Sequence, residues 1–393
     1  MPDYRYLIVG GGMTADAAAR GIRELDSSGS IGVIGAEADP PYARPPLSKA
    51  LWKGEPLESV WRNTADAGVK LHLGRRASNL DLKRKSVTDD QRAEYTFDKL
   101  LIATGGTPRR LPFGDDIIYY RTIGDFRRLH ELVEQGRSFA VIGGGFIGSE
   151  IAAALALNEC RVTMLFPEQG IGARLFPADL SRFLVDYYRE KGVDVRPGES
   201  VTAIDRAGSQ SEIVTKGGTR LKVDAVVAGI GITPNVELAT VAGLKTEDGI
   251  LVDERLRATH DDVFAAGDVA RFHSPALNTR LRVEHEDNAV TMGKAAGRSM
   301  AGDEAPYTHL PFFYSDLFDL GYEAVGEMDP RMEIVADWKD KFRTGVVYYT
   351  SEDKVRGVLL WNVWGQVDAA TQLIAKAEPV RAPDLVGRIS TDA

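Results

Sequence analysis

Arg44 and Lys49 stand five residues apart in PPYARPPLSKALW, residues 40 to 52, a stretch that sets four prolines around two cations. Proline fixes φ and removes a backbone donor, so the segment reads as a stiff turn and not as ordinary helix or central strand. Such a turn can aim an arginine and a lysine at a ligand. A ligand-binding pattern lies just upstream, where Gly10, Gly12 and Ala15 form G-x-G-x-x-A directly after the apolar run Tyr4 to Val9. The first glycine permits a tight turn, the second lets a diphosphate approach the backbone, and the small third residue lets helix and strand pack closely. The diphosphate then meets free N–H groups and the positive end of a helix dipole. Glu37, about 22 residues beyond Ala15, is placed to accept hydrogen bonds from a ribose.

Gly143, Gly145 and Gly148 repeat the pattern as G-x-G-x-x-G, with Glu168 about 20 residues on. Two complete fingerprints predict two dinucleotides. An acid at position 168 favours NADH, because it would repel the 2′-phosphate of NADPH. Arg174 lies close enough in sequence to weigh the other way, so NADPH stays an alternative. Two dinucleotides suggest a resident flavin, FAD, and a visiting nicotinamide. VFAAGDVA, Val263 to Ala270, ends an apolar strand at Gly267-Asp268 and would set the Asp268 carboxylate at a ligand's hydroxyls.

These residues need frames. YRYLIVGGGMTADAAARGIRELD runs strand, glycine turn, helix, and SIGVIGAE follows as a second strand. The same design returns at SFAVIGGGFIGSEIAAALALNECRVTMLFPE, residues 138 to 168. An apolar strand ending in glycines follows each copy, at FDKLLIATGG and VDAVVAGIGITPN. The alternation predicts α/β layers, and the internal echo predicts two separate nucleotide-binding units. From about residue 305 the pattern changes: RTGVVYYTSEDKVRGVLLWN predicts an antiparallel hairpin around Ser351-Glu352-Asp353, and VDAATQLIAKA has a helical period. The expected fold is α/β, with two Rossmann-like dinucleotide-binding domains and a C-terminal α+β domain. The polar tail after about Pro379 is expected to be loosely held.

The 393 residues are 44% hydrophobic and 27% charged, with a net charge of −9, which suits two or three globular domains and argues against a nucleic-acid binder. The basic runs Arg75-Arg76, Lys83-Arg84-Lys85, Arg109-Arg110 and Arg127-Arg128 read as solvated loops. No run approaches the roughly 18 apolar residues of a membrane span, and a core strand from Tyr4 leaves no room for a signal peptide. A single cysteine, Cys160, can form no internal disulfide and supply no structural zinc site, and it reads as a small buried hydrophobe in a reducing cytoplasm.

Taken together, IVGGGMTADAA, PYARPPLSK, LIATGGTP, VIGGGFIGSEIA, GIGITPN and AAGDVA resemble the flavoprotein reductases of the glutathione-reductase fold. More narrowly they resemble the ferredoxin/rubredoxin reductase branch that includes apoptosis-inducing-factor-like flavoproteins, and LFPE, RVEHEDNAV, YSDLFDLGYEAVGE and GVLLWN are closest to the latter, in a prokaryotic form. The resemblance implies an FAD domain (1–111 and 241–304) interrupted by an NADH domain (112–240) and followed by a C-terminal domain (305–393). It implies that Arg44 faces the phosphate or ribityl part of FAD, that Lys49 reaches the flavin ring, that Glu150 pairs with that lysine, and that Asp268 holds the ribityl or pyrophosphate. Thr104 and Gly105 of LIATGGTP and His285 of RVEHEDNAV fall among the cofactor residues, and Tyr314 stands where relatives carry the tryptophan beside the nicotinamide. A helix starting near Glu286, with Gly302 as its stop, is expected to stabilise negative charge on the reduced flavin.

Disulfide reductases of this fold carry a redox-active cysteine pair just beyond the first βαβ unit, and this chain has none there. Electrons would therefore leave directly from the flavin, to a [2Fe–2S] ferredoxin or a rubredoxin. A basic patch around Arg271, Arg280 or Arg282 would have to receive such an acidic carrier. The alternative implied by the resemblance is a redox-responsive protein, slow to react with NADH, whose charge-transfer complex alters homodimerisation. Trp361 and Trp364 are expected to pack the C-terminal domain.

Overall fold

The computed structural model describes residues 2–135, 137–376 and 378–391. The chain divides into two compact units: Met1–Arg44, Leu57–Thr107 and Thr233–Pro311 form one, and Pro45–Pro56, Pro108–Ile232 and Phe312–Ala393 the other.

In the first unit, the strands Val69–Leu73, Ile31–Gly35, Asp3–Val9, Glu94–Ile102 and Val263–Ala265 run parallel, side by side in that order. Leu7, Ile8, Val33, Leu100 and Leu101 are fully buried, which is why these strands read as continuous apolar runs and not as alternating ones. The first half of Glu94–Ile102 instead pairs antiparallel with Ser86–Asp89, which pairs with Ala77–Asp81. The helices Met13–Arg23 and Glu286–Met300 pack on each other at glycine contacts, with Gly293 over Thr14 and Gly297 over Ala18. Gly302 has φ 104° and ends the second helix as expected.

The second unit repeats the parallel plan with Asp194–Pro197, Arg161–Phe166, Ser138–Ile142, Ala225–Ala228 and Ile117–Tyr119, in that order. A three-stranded antiparallel meander, Val201–Ala207, Gln210–Thr215 and Arg220–Val223, accompanies it. Its C-terminal part is an antiparallel sheet ordered Phe312–Leu317, Leu320–Gly326, Lys354–Trp361, Thr344–Ser351 and Glu333–Asp340. The expected hairpin is present, with Ser351 opposite Lys354 and with Glu352 and Asp353 both left-handed (φ 52° and 55°). Two left-handed residues match the twist of the flanking strands. Trp361 is fully buried and stacks on Tyr322, with ring centres 5.7 Å apart.

Three expectations need correction. The segment after Pro379 is held down: Leu385 and Ile389 are buried, the Gly387 N–H donates to Asp337 Oδ2 (2.7 Å), and the Ile389 N–H to the Tyr348 hydroxyl (3.2 Å). Trp364 lies over Gly321 but stays 44% exposed, so of the two tryptophans only Trp361 is a core residue. Cys160 is half-buried, at the start of Arg161–Phe166, where partial desolvation pushes its thiol up. Among the described residues no helix is long and apolar enough to cross a membrane.

Candidate functional site

The first fingerprint sits between Asp3–Val9 and the helix Met13–Arg23. Gly10 has φ 124°, and a Cβ there would lie 2.0 Å from the Ala103 carbonyl oxygen, so only glycine fits. Gly12 caps the helix in extended conformation, and a Cβ there would meet nothing within 4 Å. Open space at a helix N-cap, where the first N–H groups lack partners within the helix, is what a diphosphate requires. Ala15 is fully buried at the helix start.

Beyond Ile31–Gly35, Glu37 accepts from Arg44 Nη2 (2.6 Å) and from the Tyr42 hydroxyl (2.6 Å), and the guanidinium lies 5.0 Å from the centre of the Tyr42 ring. Burial alone would lower the Arg44 pKa, but Tyr42, Glu37 and Asp268 raise it on balance, which fixes its charge and brings all four into one electrostatic group. The loop is anchored from beneath by Asp16, whose carboxylate takes Arg62 Nε (2.7 Å), Arg20 Nε (3.1 Å) and the Thr64 hydroxyl (2.8 Å). Burial pushes the Asp16 carboxyl up, and those three donors outweigh it and hold it below the usual range. Arg62 in turn gives its N–H to the Pro41 carbonyl, and Trp61 pairs with Tyr42.

Thr104 and Gly105 are clasped by Asn235: Thr104 Oγ1 donates to the Asn235 carbonyl (2.8 Å), Asn235 Nδ2 to the Thr104 carbonyl (2.9 Å), and the Asn235 N–H to the Gly105 carbonyl (3.0 Å). His285 is the N-cap residue of Glu286–Met300. The first turn of that helix carries Glu286 and Asp287, and Asp287 pairs with His309 Nε2 at 2.6 Å. Two acids there offset part of the helix dipole, so this N-terminus offers less positive potential than a bare helix end.

In the second unit, Gly143 has φ 116°, with its missing Cβ 2.3 Å from the Gly229 carbonyl oxygen, and a Cβ on Gly148 would lie 2.0 Å from the Gly143 carbonyl oxygen. Gly145 caps the helix Phe146–Leu157 and, like Gly12, faces open space. Glu168 follows Arg161–Phe166 and is paired with Arg174 at 2.7 Å.

The helix Phe146–Leu157 also carries Glu150, whose side chain is 4% exposed. Lys49 Nζ reaches its Oε1 at 2.6 Å, the Ser315 hydroxyl reaches the same oxygen at 2.6 Å, and the Ser48 hydroxyl reaches Oε2 at 2.5 Å. Lys49 Nζ also lies 5.3 Å from the centre of the Tyr314 ring. The structure thus brings together Lys49, Glu150 and Tyr314, from the proline-rich turn, the fingerprint helix and the C-terminal sheet. The turn itself is short 3₁₀ helix, Pro45–Ser48 and Ala50–Lys53. It is pinned where Trp52 Nε1 donates to the Leu47 carbonyl (2.7 Å), as does the Tyr120 hydroxyl, while the Trp52 ring meets Phe126 edge-on.

Sequence reading passed over Asn235 and Asp16, and also over Glu323. Glu323 stands directly opposite Tyr314 across the strand pair, so the two side chains share a sheet face. Its Oε2 is buried without a hydrogen-bond partner among the described residues, and burial pushes the carboxyl up against a weaker opposing bond from the Gly365 N–H. The arginines foreseen as a carrier patch are engaged locally: Arg271 with Glu247 (2.8 Å), Arg282 with Asp248 (3.1 Å) and Glu284 (2.7 Å), and Arg280 with the Val252 carbonyl (3.4 Å).

Comparison with known proteins matches residues 4–293 to the family described as pyridine nucleotide-disulphide oxidoreductase. Residues 296–340 and 335–376 match the family described as apoptosis-inducing factor, mitochondrion-associated, C-term. The chain is 33% identical to the mitochondrial apoptosis-inducing factor 1 of Dictyostelium discoideum, over 96% of this chain and 79% of that protein. It is 31% identical to the putidaredoxin reductase CamA of Pseudomonas putida, over 97% and 94% respectively. Among solved structures, a chain of the covalent putidaredoxin reductase–putidaredoxin complex matches with a TM-score of 0.91 at 30% identity, covering 98% of this chain and 96% of that one.

Proposed function

The chain belongs to the pyridine nucleotide-disulphide oxidoreductase family, and on that premise we propose that it passes electrons from NADH, through FAD, singly to a small carrier protein, a [2Fe–2S] ferredoxin or a rubredoxin. It is an NAD(P)H-dependent oxidoreductase whose cofactors are FAD and NAD(P)H. The observation that carries the proposal is the buried Lys49–Glu150–Ser315 cluster in a chain whose single cysteine lies past the far end of the Glu150 helix. With no thiol pair, electrons cannot pass through a disulfide, and a flavin donating directly is the remaining route.

The residues of the first unit fit FAD. The open face of Gly12 and the first helical turn would take the diphosphate, with Gly10 and Ala15 shaping the turn. Glu37 would take the ribose, Arg44 and Asp268 the phosphate and ribityl region, and Thr104, Gly105 and His285 would complete the cradle. When bound, FAD supplies hydride acceptance and one-electron donation. Gly143, Gly145 and Gly148 would hold the NADH diphosphate, and Glu168 its ribose, with Arg174 orienting the glutamate. Tyr314 would serve as the stacking ring, and the Lys49–Glu150 pair would fix a cation for the flavin. The domain limits assigned are 1–111 with 241–304 for FAD, 112–240 for NADH, and 305–393 for the C-terminal domain. A reducing cytoplasm is the location proposed, in keeping with a chain that carries a single cysteine.

Anaerobic stopped-flow mixing with NADH, then with a [2Fe–2S] ferredoxin, tests this reading. Fast flavin bleaching followed by rapid reoxidation is expected. A protein that takes up no FAD, or that reduces dyes but no protein carrier, would defeat it. The match of the C-terminal part to the apoptosis-inducing-factor family favours a second reading, a redox-responsive protein that changes its dimerisation. In that case bleaching is slow, a long-wavelength band persists, and small-angle scattering with NADH shows a change of oligomeric state.

A further inference from the structure

The Lys49–Glu150 pair is not sealed on all sides. A pocket of about 20 Å³ is lined by Ser48, Lys49, Glu150 and Ala153, by the rings of Trp52 and Phe318, and by Leu157, which is 55% exposed. One water needs roughly 10–15 Å³ and two to four polar partners, so the pocket has both the room and the partners to hold one. Its lining also includes the ion pair Lys53–Asp316 at 3.3 Å, with both side chains open to solvent. The helix period explains the arrangement: positions 150, 153, 154 and 157 fall on one face of Phe146–Leu157, so the Glu150 carboxylate, two small alanines and the exposed Leu157 line the same pocket.

We propose that this pocket is a proton port, through which Glu150 exchanges protons with bulk water during turnover. The inference rests on the function proposed above. Oxidation of one NADH by two one-electron acceptors breaks a C–H bond as hydride, sends two electrons to the acceptors, and leaves one proton that must reach solvent. Lys49 hands a proton along its 2.6 Å bond to Glu150 and takes the incoming one in its place. Glu150 then releases its proton through the Ser48 hydroxyl to pocket water, and both residues return to their starting charge. Two buried tyrosines close to Glu150, Tyr188 and Tyr322, do not compete, because burial and the Glu150 charge raise their pKa values and hold their hydroxyls protonated.

The test uses the FAD-loaded protein, NADH, and ferricyanide as the one-electron acceptor, with a pH-indicator dye reporting proton release beside flavin absorbance. Ala153→Leu fills the pocket from its wall, and Leu157→Trp narrows it from the solvent side, where added bulk strains no core. In both, NADH-driven bleaching is expected at the wild-type rate, while proton release slows by about tenfold with a raised solvent isotope effect. Proton release at the wild-type rate in both variants, with bleaching intact, would overturn the port alone. Absence of NADH-driven bleaching in the wild type would overturn the parent function, and the port with it.

Discussion

Three donors, Lys49, Ser48 and Ser315, converge on the Glu150 side chain, which is 4% exposed. Such a pair contributes little against two well-packed apolar residues, but removing one partner strands the other, typically at about 3–5 kcal/mol. Lys49→Met is therefore expected to lower the free energy of unfolding by about 3 kcal/mol in urea titration. Glu150→Gln should cost less, since an amide can still meet both serines, and Lys49, at 12% exposure, keeps some access to water. Equal losses in the two variants would show that the carboxylate is not the strained member. Arg44 differs in kind. Its partner Glu37 is part-exposed, so Arg44→Lys should leave stability nearly unchanged and weaken FAD binding, because a lysine lacks the fork that meets Glu37 and a phosphate together. A flavin-fluorescence titration gives that comparison.

At the scale of elements, the strand–turn–helix units separate glycines that serve the fold from glycines that serve a ligand. A methyl on Gly148 would strike the Gly143 carbonyl, whereas one on Gly145 points into open space. Gly148→Ala should unfold or severely destabilise the second unit. Gly145→Ala should cost under about 1 kcal/mol, the usual scale of an N-cap change, while abolishing NADH binding. Calorimetric melting with an NADH titration reads both, and preserved NADH affinity in Gly145→Ala would remove the nucleotide from that turn. Asp224 ties two elements of the same unit: the Ser138 N–H and hydroxyl and Gln210 Nε2 donate to it, and they pull its pKa from 3.8 to about 2. A depressed carboxylate stabilises the fold above its unfolded pKa and loses that contribution as pH falls towards its folded value. Urea stability should fall from about pH 4 to about pH 2, and Asp224→Asn should flatten that limb. Fingerprints were legible in sequence because their spacing is local. The Lys49–Glu150 bond spans 101 positions and was legible only through resemblance. Glu323 was not legible, because the turn that sets it opposite Tyr314 is made by Phe318 at φ 63°, a residue type that signals no turn. The tail was misread because two buried residues, Leu385 and Ile389, anchor an otherwise polar stretch.

For the whole molecule, the open quantity is how a chain of net charge −9 meets an acidic carrier. Basic residues stand out in the sequence, but which acid answers each depends on the fold, Lys85 reaching Asp262 for one, so their neutralisation could not be read there. Arg84 pairs with Glu94, Lys85 with Asp262, Arg128 with Asp116, Arg271 with Glu247, and Arg282 with Asp248 and Glu284. Paired in this way, these cations contribute dipoles more than net positive field, and the excess of acids governs long-range approach. Like-charged partners repel at distances up to the Debye length, roughly 10 Å at 0.1 M salt, and added salt relieves the repulsion. The second-order rate of reoxidation by an acidic [2Fe–2S] ferredoxin is therefore expected to rise with ionic strength over the low-salt range before levelling off, and stopped-flow runs at graded sodium chloride measure it. Reductases steered by a basic patch behave in the opposite way, losing rate as salt screens the attraction. A rate that falls with salt would mean that unpaired cations elsewhere on the surface override the net field, and charge-reversal variants would then locate the docking face.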